Sequence, residues 1–275
     1  MLELLSTGRC AIVKQDFHVG GLGNEIVSPH EGIRPIGAQR VDVCRSREEV
    51  AQFFARRRVS GSADDRVVVE HYTPDSRSIY AGFHIGDDDV RMYGHGEMRM
   101  TPVINGLITP SAQSSLPPFT AFLANAARMA ESVRMMGYRG QLSVDGVLTP
   151  DGDMFLTEFN ARSGGATHNH CIMQSLVDVD GRADRIMLDR RRCELPPLGS
   201  LLATLEDEGI AFDSVKRTGV VITAHDGGAG QGTGDFCVAA EDLNSAELLE
   251  SAVVTTICKL GGTVASMKVK TGSDA

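Results

Sequence analysis

The chain has 275 residues, 42% of them hydrophobic, and a formal net charge of −9. That is enough apolar material for one large domain or two smaller lobes, and the negative balance argues against a partner such as nucleic acid, whose phosphates attract basic faces. The six cysteines, at 10, 44, 171, 193, 237 and 258, form no CxxC pair, which excludes zinc-ribbon and thioredoxin readings. No signal peptide opens the sequence and no apolar run approaches the length of a membrane span, so a cytoplasmic protein with no membrane contact is expected.

In chain order, Cys10 to Lys14 reads as an apolar strand ending on a lysine, followed by a loop containing Gly20, Gly21, Gly23 and Asn24. Glycines there let the backbone approach phosphate oxygens and donate N–H groups to them. The spacing is neither that of a P-loop nor a clean dinucleotide fingerprint, and an ordinary hairpin with a solvated lysine stands beside the phosphate-lid reading. Ser46 and Glu49 form a capping box that opens a helix to about Arg58. Arg66 to Tyr72 is a β-branched run closing on Glu70, His71 and Tyr72. Arg77 to Ile85 and Val90 to Arg99 read as paired strands around the acidic turn Gly86 to Asp89. Pro102 to Pro118, rich in Pro, Ser and Gly, reads as a long surface loop, and Phe119 to Met136 as an alanine-rich helix.

Two strands follow, Gln141 to Leu148 and Met154 to Phe159, joined by the turn signal Pro150-Asp151-Gly152. The second runs into TEFNARSGG, Thr157 to Gly165, which sets Glu158, Asn160 and Arg162 at alternate positions. In extended chain such residues share a face. Glu158 and Asn160 are hard oxygen ligands suited to Mg²⁺, and Arg162 offers a planar fork for phosphate oxygens. Asp145, thirteen residues before Glu158, is carried back beside it by the hairpin, close enough for shared metal ligation. His168-Asn169-His170-Cys171 lacks a distant matching pair and is not read as a metal centre. His168 follows the Gly164-Gly165 turn immediately beside the proposed metal site and is instead placed near a phosphate or a second reacting group there.

Beyond Cys171, helices are expected near Met173 to Arg191, with Arg190 to Arg192 as cations at its C-terminal end, and over Leu198 to Glu208. A strand at Gly219 to Ala224, a glycine-rich loop through Gly227, Gly228, Gly230, Gly232 and Gly234, a strand at Phe236 to Ala239 and a helix from Ser245 to Leu260 complete the chain. The loop reads better as a mobile hairpin than as a second anion lid.

The order of lysine strand, glycine loop, strand closing on Glu-His-Tyr, crossover, and Asp thirteen residues before Glu-x-Asn-x-Arg resembles the ATP-grasp superfamily. Within it, Asn160 to His168 is most similar to the peptide ligases related to the pheganomycin enzyme. The resemblance, covering Arg9 to roughly Cys171, implies an α+β class with two α+β lobes whose antiparallel sheets enclose a nucleotide cleft. The lobes would be a small one over 1–73 and a large one over 74–192, with a C-terminal α/β region over 193–275.

The resemblance also implies an ADP-forming carbon–nitrogen ligase that joins a small carboxylic or amino acid to an amine or peptide acceptor through an acyl phosphate, in specialised peptide biosynthesis. ATP and Mg²⁺ or Mn²⁺ would be required. Lys14 would contact the nucleotide phosphates, Gly20, Gly21, Gly23 and Asn24 would close over them, and Glu70, His71, Tyr72 and Thr73 would read the adenine edge. Asp145, Glu158 and Asn160 would hold the metal, and Arg162 would steady a phosphoryl group. Arg99, at a strand end before the proline-rich stretch, is a candidate clamp for a substrate carboxylate or acyl phosphate at the cleft mouth. Two features depart from the pattern. Arg77 stands where an acid for the ribose hydroxyls is common, with Asp75 the nearest acid, and the N-terminal α/β domain usual in such ligases does not precede Met1. A fragment, a misassigned start, and a homo-oligomer or partner chain supplying that domain all stay open. So do a non-catalytic ATP-binding partner or regulatory protein and a metal-dependent enzyme that does not use ATP.

Overall fold

The computed structural model describes residues 1–15, 20–58, 66–177, 184–228 and 230–264. After a short helix α1 (Leu2–Ser6), four strands build a small sheet: β1 (Cys10–Gln15), β2 (Glu25–Ser28), β3 (Arg40–Val43) and β4 (Val67–Tyr72), in the order β3-β2-β1-β4. Strand pleating sorts its side chains. Val13, Val27, Val67 and Val69 pack on Val50 and Phe53 of helix α2 (Arg47–Arg58), while Cys10, Ile26 and Tyr72 gather on the other face with Ala38. The expected capping box opens α2: the Glu49 N–H donates to Ser46 Oγ at 3.1 Å and the Ser46 N–H to Glu49 Oε2 at 3.0 Å. Two of the helix's orphan N-terminal donors are satisfied in this way.

The second sheet has eight strands, every neighbouring pair antiparallel. In chain order the elements are β5 (Arg77–Ile85), β6 (Val90–Met100), β7 (Ile104–Thr109), α3 (Pro117–Met135), β8 (Gly140–Leu148), β9 (Met154–Asn160), α4 (Thr167–Ile172) running into a π-helical turn (Met173–Val177), β10 (Ile186–Leu195), α5 (Leu198–Asp207), β11 (Gly219–His225), β12 (Gly232–Ala240) and α6 (Leu243–Lys259). The spatial order is β11-β12-β10-β7-β6-β5-β8-β9.

Register assigns the faces. Ile79, Val144 and Leu142 point to α3 and its Phe119, Phe122 and Ala126. Ile79 lies opposite Glu97, Glu97 opposite Ile108, and Ile108 opposite Leu188. Leu188 packs with Val238 on α5 and α6, so all three helices cover the same face. The opposite face carries α4 and the π turn, resting on Met187, Cys237 and Ala239, and it is open beyond them at the β8–β9 end.

Three expectations are corrected. The proline-rich stretch 102–118 is not a loop throughout, because Ile104–Thr109 forms β7 in the middle of the large sheet. Its flanking prolines sit outside the ladder, where a missing N–H does no harm, and they masked a β-branched run. The helix expected from Met173 to Arg191 stops at Val177, and Ile186–Leu195 is a strand; residues 178–183 lie outside the described residues. Arg190, Arg191 and Arg192 therefore belong to β10 and sort onto different sides of it. The glycine-rich loop is shorter than expected, since Gly232 and Gly234 already lie in β12; residue 229 lies outside the described residues.

Candidate active site

The hairpin places Asp145 directly opposite Glu158, and Ser143 opposite Asn160. It is closed by a turn in which the Gly152 N–H donates to the Thr149 carbonyl at 3.0 Å and Gly152 takes φ +88, a conformation suited to glycine. A bulge between Asp145 and Gly146 lets both acids face the open side while Leu156 returns to the α3 core. There the Asn160 amide donates from Nδ2 to Asp145 Oδ2 and to Glu158 Oε1, each at 3.2 Å. Arg162 Nη1 donates to Asn160 Oδ1 at 3.2 Å, and Ser143 Oγ donates to Asp145 Oδ1 at 2.8 Å. The four residues expected around the metal and phosphoryl group thus form one hydrogen-bonded cluster. Burial, and then the negative charge of Glu158, push the Asp145 carboxyl up to about 7, against the hydrogen bond from Ser143.

This donor set fits a divalent cation. Two carboxylates are held together at a strand end where their repulsion is not offset by a buried base, and hard oxygens suit Mg²⁺. The amide N–H₂ now sits against both acids, and rotation of that amide would turn its oxygen toward the same point. No group of three or more His, Cys, Asp or Glu side chains among the described residues forms an alternative centre. His170, in particular, is buried with Nε2 3.1 Å from Tyr80 Oη, its ring over Gly94, where a Cβ would come within 2.1 Å of it. Burial lowers its pKa to about 4, so it is neutral. His168 is exposed beside it.

On the small sheet, Lys14 Nζ is 2.6 Å from Glu70 Oε2, both on the face away from α2. β4 is the edge strand next to β1, so alternate backbone groups of Glu70 to Tyr72 are left unpaired by the sheet. Tyr72 Oη donates to the Ile36 carbonyl at 3.1 Å. Burial pushes its pKa up to about 12. The Thr73 carbonyl accepts from Ser76 Oγ at 2.8 Å. A pocket of about 330 Å³ opens at the junction of the two sheets, lined by Cys10, Ile33, Tyr72, Thr73, Asp153 and Phe155 among others. Gly20 and Gly21 take positive φ. The Gly20 carbonyl accepts from the Ile104 N–H at 3.2 Å, and Asn24 Nδ2 donates to the Gly37 carbonyl at 3.0 Å; Gly23 is buried. This turn is seated on the start of β7. Asp75 is paired with Arg34 and Arg77 with Glu97.

Arg99 does not join the cluster. By strand alternation it lies on the helix-covered face, where both its Nη atoms meet the Glu250 carboxylate, at 2.5 and 2.9 Å. The expectation of a cleft-mouth clamp overlooked α6, whose acid consumes that fork. The residue that sequence reading missed is Arg191, which reaches the Gly165 carbonyl from β10 at 2.6 Å. Three adjacent arginines signalled a solvated helix end, and only the β10 pleat and its bulge between Arg190 and Cys193 separate them.

Solved structures share this architecture. Biotin carboxylase from Campylobacter jejuni, in a β-γ-ATP complex, superposes with TM-score 0.60 at 15% identity over 92% of this chain. The N5-carboxyaminoimidazole ribonucleotide synthetase of Thermus thermophilus gives 0.60 at 14% over 97%. The fold is ATP-grasp. A third ATP-grasp neighbour, an L-amino acid ligase from Bacillus licheniformis, gives 0.53 at 14% over 94%. The chain spans 58%, 65% and 63% of these three proteins. Residues 200–253 match the PGM1 C-terminal domain family, and no curated protein matches the sequence. No helix among the described residues is long and apolar enough to cross a membrane.

Proposed function

We propose that this chain binds ATP between its two sheets and joins a carboxylate to an amine through an acyl phosphate. The observation that carries the reading is the Asp145/Glu158/Asn160/Arg162 cluster, in ATP-grasp order and hydrogen-bonded on the open face of the large sheet. In the first step a carboxylate oxygen attacks the γ-phosphorus, the bridging P–O bond breaks and ADP leaves with its electron pair. In the second the amine attacks the acyl carbon, phosphate departs with the C–O pair, and the amine's surplus proton passes to solvent.

Phosphoryl transfer is mostly positioning and electrostatics. Lys14 would lie along the phosphates, with Glu70 fixing its ammonium, and Arg162 would hold a phosphoryl oxygen. The turn from Gly20 to Asn24 would exclude water that hydrolyses an acyl phosphate. Asp145, Glu158 and Asn160 would hold Mg²⁺ or Mn²⁺, which supplies positive charge against the phosphate oxygens. The unpaired edge of β4 and the pocket beneath Tyr72 and Thr73 would take the adenine. The small lobe over 1–73, the large lobe over 74–192 and the region 193–275 are the proposed divisions. An amino acid is the proposed acid, in keeping with the L-amino acid ligase among the neighbours, and a peptide is the proposed product.

The test is Glu158→Gln. Hydroxylamine traps acyl phosphates as hydroxamates whatever the natural amine, so wild-type chain is screened with ATP, Mg²⁺ and a panel of amino and carboxylic acids. The variant should melt like the wild type and lose ATP turnover. Full turnover in the variant would sink the metal assignment, and absence of nucleotide binding by calorimetry would sink the whole reading.

A further inference from the structure

Strand β10 carries three arginines in a row, and each has a different fate. Arg190 is buried against Glu250, with Nε 3.1 Å from Oε1, on the helix-covered face. Arg192 takes φ +56 at the bulge and is exposed. Arg191 points to the open face. Its Nε donates to Asp189 Oδ2 at 2.5 Å and its Nη2 to the Gly165 carbonyl at 2.6 Å. Among the described residues Nη1 has no hydrogen-bond partner, and it lies so close to Gly165 that a Cβ there would come within 2.8 Å of it. The second glycine of the RSGG turn is thus the one that gives this guanidinium room.

Asp189 makes the arrangement specific. It is fully buried, 0% exposed; among the described residues its Oδ1 has no hydrogen bond of normal geometry, although the Asn169 side chain lies near enough to act on the carboxylate. Burying a carboxylate is costly unless a cation compensates it. Burial pushes its pKa up, and Arg191 acts against that push ahead of Asn169 and His168. A buried acid spent on orienting one arginine, whose remaining donor is left over, is the pattern of a preorganised anion site rather than of a structural ion pair. Arg99 and Arg190 supply the contrast, since one acid, Glu250, is shared by both and they lie on the helix-covered face, Arg190 buried and Arg99 half-buried. Gly164 packs against Ser143, where a Cβ would stand 3.9 Å from the Ser143 Cβ, and Ser143 in turn donates to Asp145. One turn of chain therefore links Arg191 to the proposed metal ligands, on the side away from the adenine pocket.

We propose that Arg191, held in place by Asp189, binds an oxyanion of the reacting substrate at the end of the site beyond the Asp145/Glu158/Asn160 cluster. This assignment rests on the ligase reading. The oxyanion is either the carboxylate of the acid or the oxygens of the phosphoryl group it receives, and the two share one chemistry. Asp189 is a positioning residue.

The test uses the full chain with ADP and Mg²⁺, titrated calorimetrically with acetate in one arm and orthophosphate in the other. Arg191→Gln should weaken at least one anion about tenfold, the scale of a lost charge-assisted hydrogen bond, while the ADP affinity stays within about twofold. Loss in the acetate arm assigns the substrate carboxylate, and loss in the orthophosphate arm the phosphoryl oxygens. Arg191→Lys should recover part of the affinity, and Asp189→Asn should weaken the same anion without changing ADP binding. Because Arg191→Gln leaves Asp189 buried alone, the double variant Asp189→Asn/Arg191→Gln is measured beside it and should show the same loss with a wild-type melting temperature. Equal anion affinity in wild type and both Arg191 variants overturns the assignment, as does ADP binding with no anion binding in wild type. Absence of ADP binding would instead overturn the ligase reading, and the anion titrations, repeated without nucleotide, would still decide the role of Arg191.

Discussion

Replacing Asp145 by asparagine removes a carboxyl that the fold holds at a pKa of about 7, against an ordinary 3.8. A folded-state pKa raised in this way means that the native chain binds its proton more tightly than the unfolded chain. The stability it contributes is complete below about 4 and is lost as pH rises to about 7. At 1.36 kcal/mol per pKa unit the full effect is about 4 kcal/mol, and about 2 kcal/mol once the partial exposure of the strand end is allowed for. His170 works in the opposite direction. Its folded pKa of about 4 lies below the ordinary 6.5, so its contribution is present above 6.5 and lost as pH falls toward 4, at about 3 kcal/mol. Between 4 and 6.5 the two slopes oppose each other.

Wild type freed of metal by chelation should therefore receive little net pH dependence from this pair across that window. Asp145→Asn should expose the His170 slope and become acid-sensitive. The measurement is urea unfolding of both proteins at four pH values between 4 and 8, with the difference in free energy between them as the readout, so that the other titrating groups cancel. That difference should shift by about 2–4 kcal/mol in favour of the variant as pH rises. A constant difference at all four values would refute the claim that burial and Glu158 act on Asp145. Adding Mg²⁺ at pH 8 should stabilise wild type and leave Asp145→Asn unmoved, since only a competent site is linked to folding by binding.

Further variants probe the rest of the molecule. Glu250→Ala should cost about 3–5 kcal/mol in chemical denaturation, because it strands Arg99 and Arg190 in a buried setting without their acid; a cost below 1 kcal/mol would contradict the buried triad. Gly94→Ala should cost about 1–3 kcal/mol through overpacking against the His170 ring, with near-ultraviolet dichroism reporting the displaced Tyr80 and Tyr93. Lys14→Met should weaken ATP binding about tenfold or more while leaving the melting temperature within a few degrees, since the ion pair it breaks is partly solvated. Unchanged ATP affinity would remove Lys14 from the nucleotide site.

What the sequence made legible follows from the range of its signals. The β8–β9 hairpin was readable because turn chemistry and strand period are local, and the thirteen-residue spacing brings Asp145 and Glu158 near each other across it, while the bulge that sets them directly opposite was not readable. The capping box at Ser46 was readable for the same reason. Arg99 was misplaced because its partner Glu250 lies 151 residues away on α6, and nothing in a strand's own pattern announces which of its faces a remote helix will cover. β7 was hidden by prolines that lie just outside its ladder. The β10 arginines were misread because a cationic run looks alike at a helix end and on a strand until pleat and bulge assign each residue a side. Asp189 could not have been found at all, since its importance lies in burial, which only the assembled sheet confers.

The large sheet is continuous, yet β7 meets β10 over only Ile108 with Leu188 and Thr109 with Met187, whereas β5 and β8 pair along nine residues. That junction is a seam between a block carried by α3 and a block carried by α5 and α6. Arg99 on β6, Arg190 on β10 and Glu250 on α6 straddle it like a rivet. Under tension applied between the two blocks the molecule should part there first, with the ion triad setting the force, while each block keeps its own ladder.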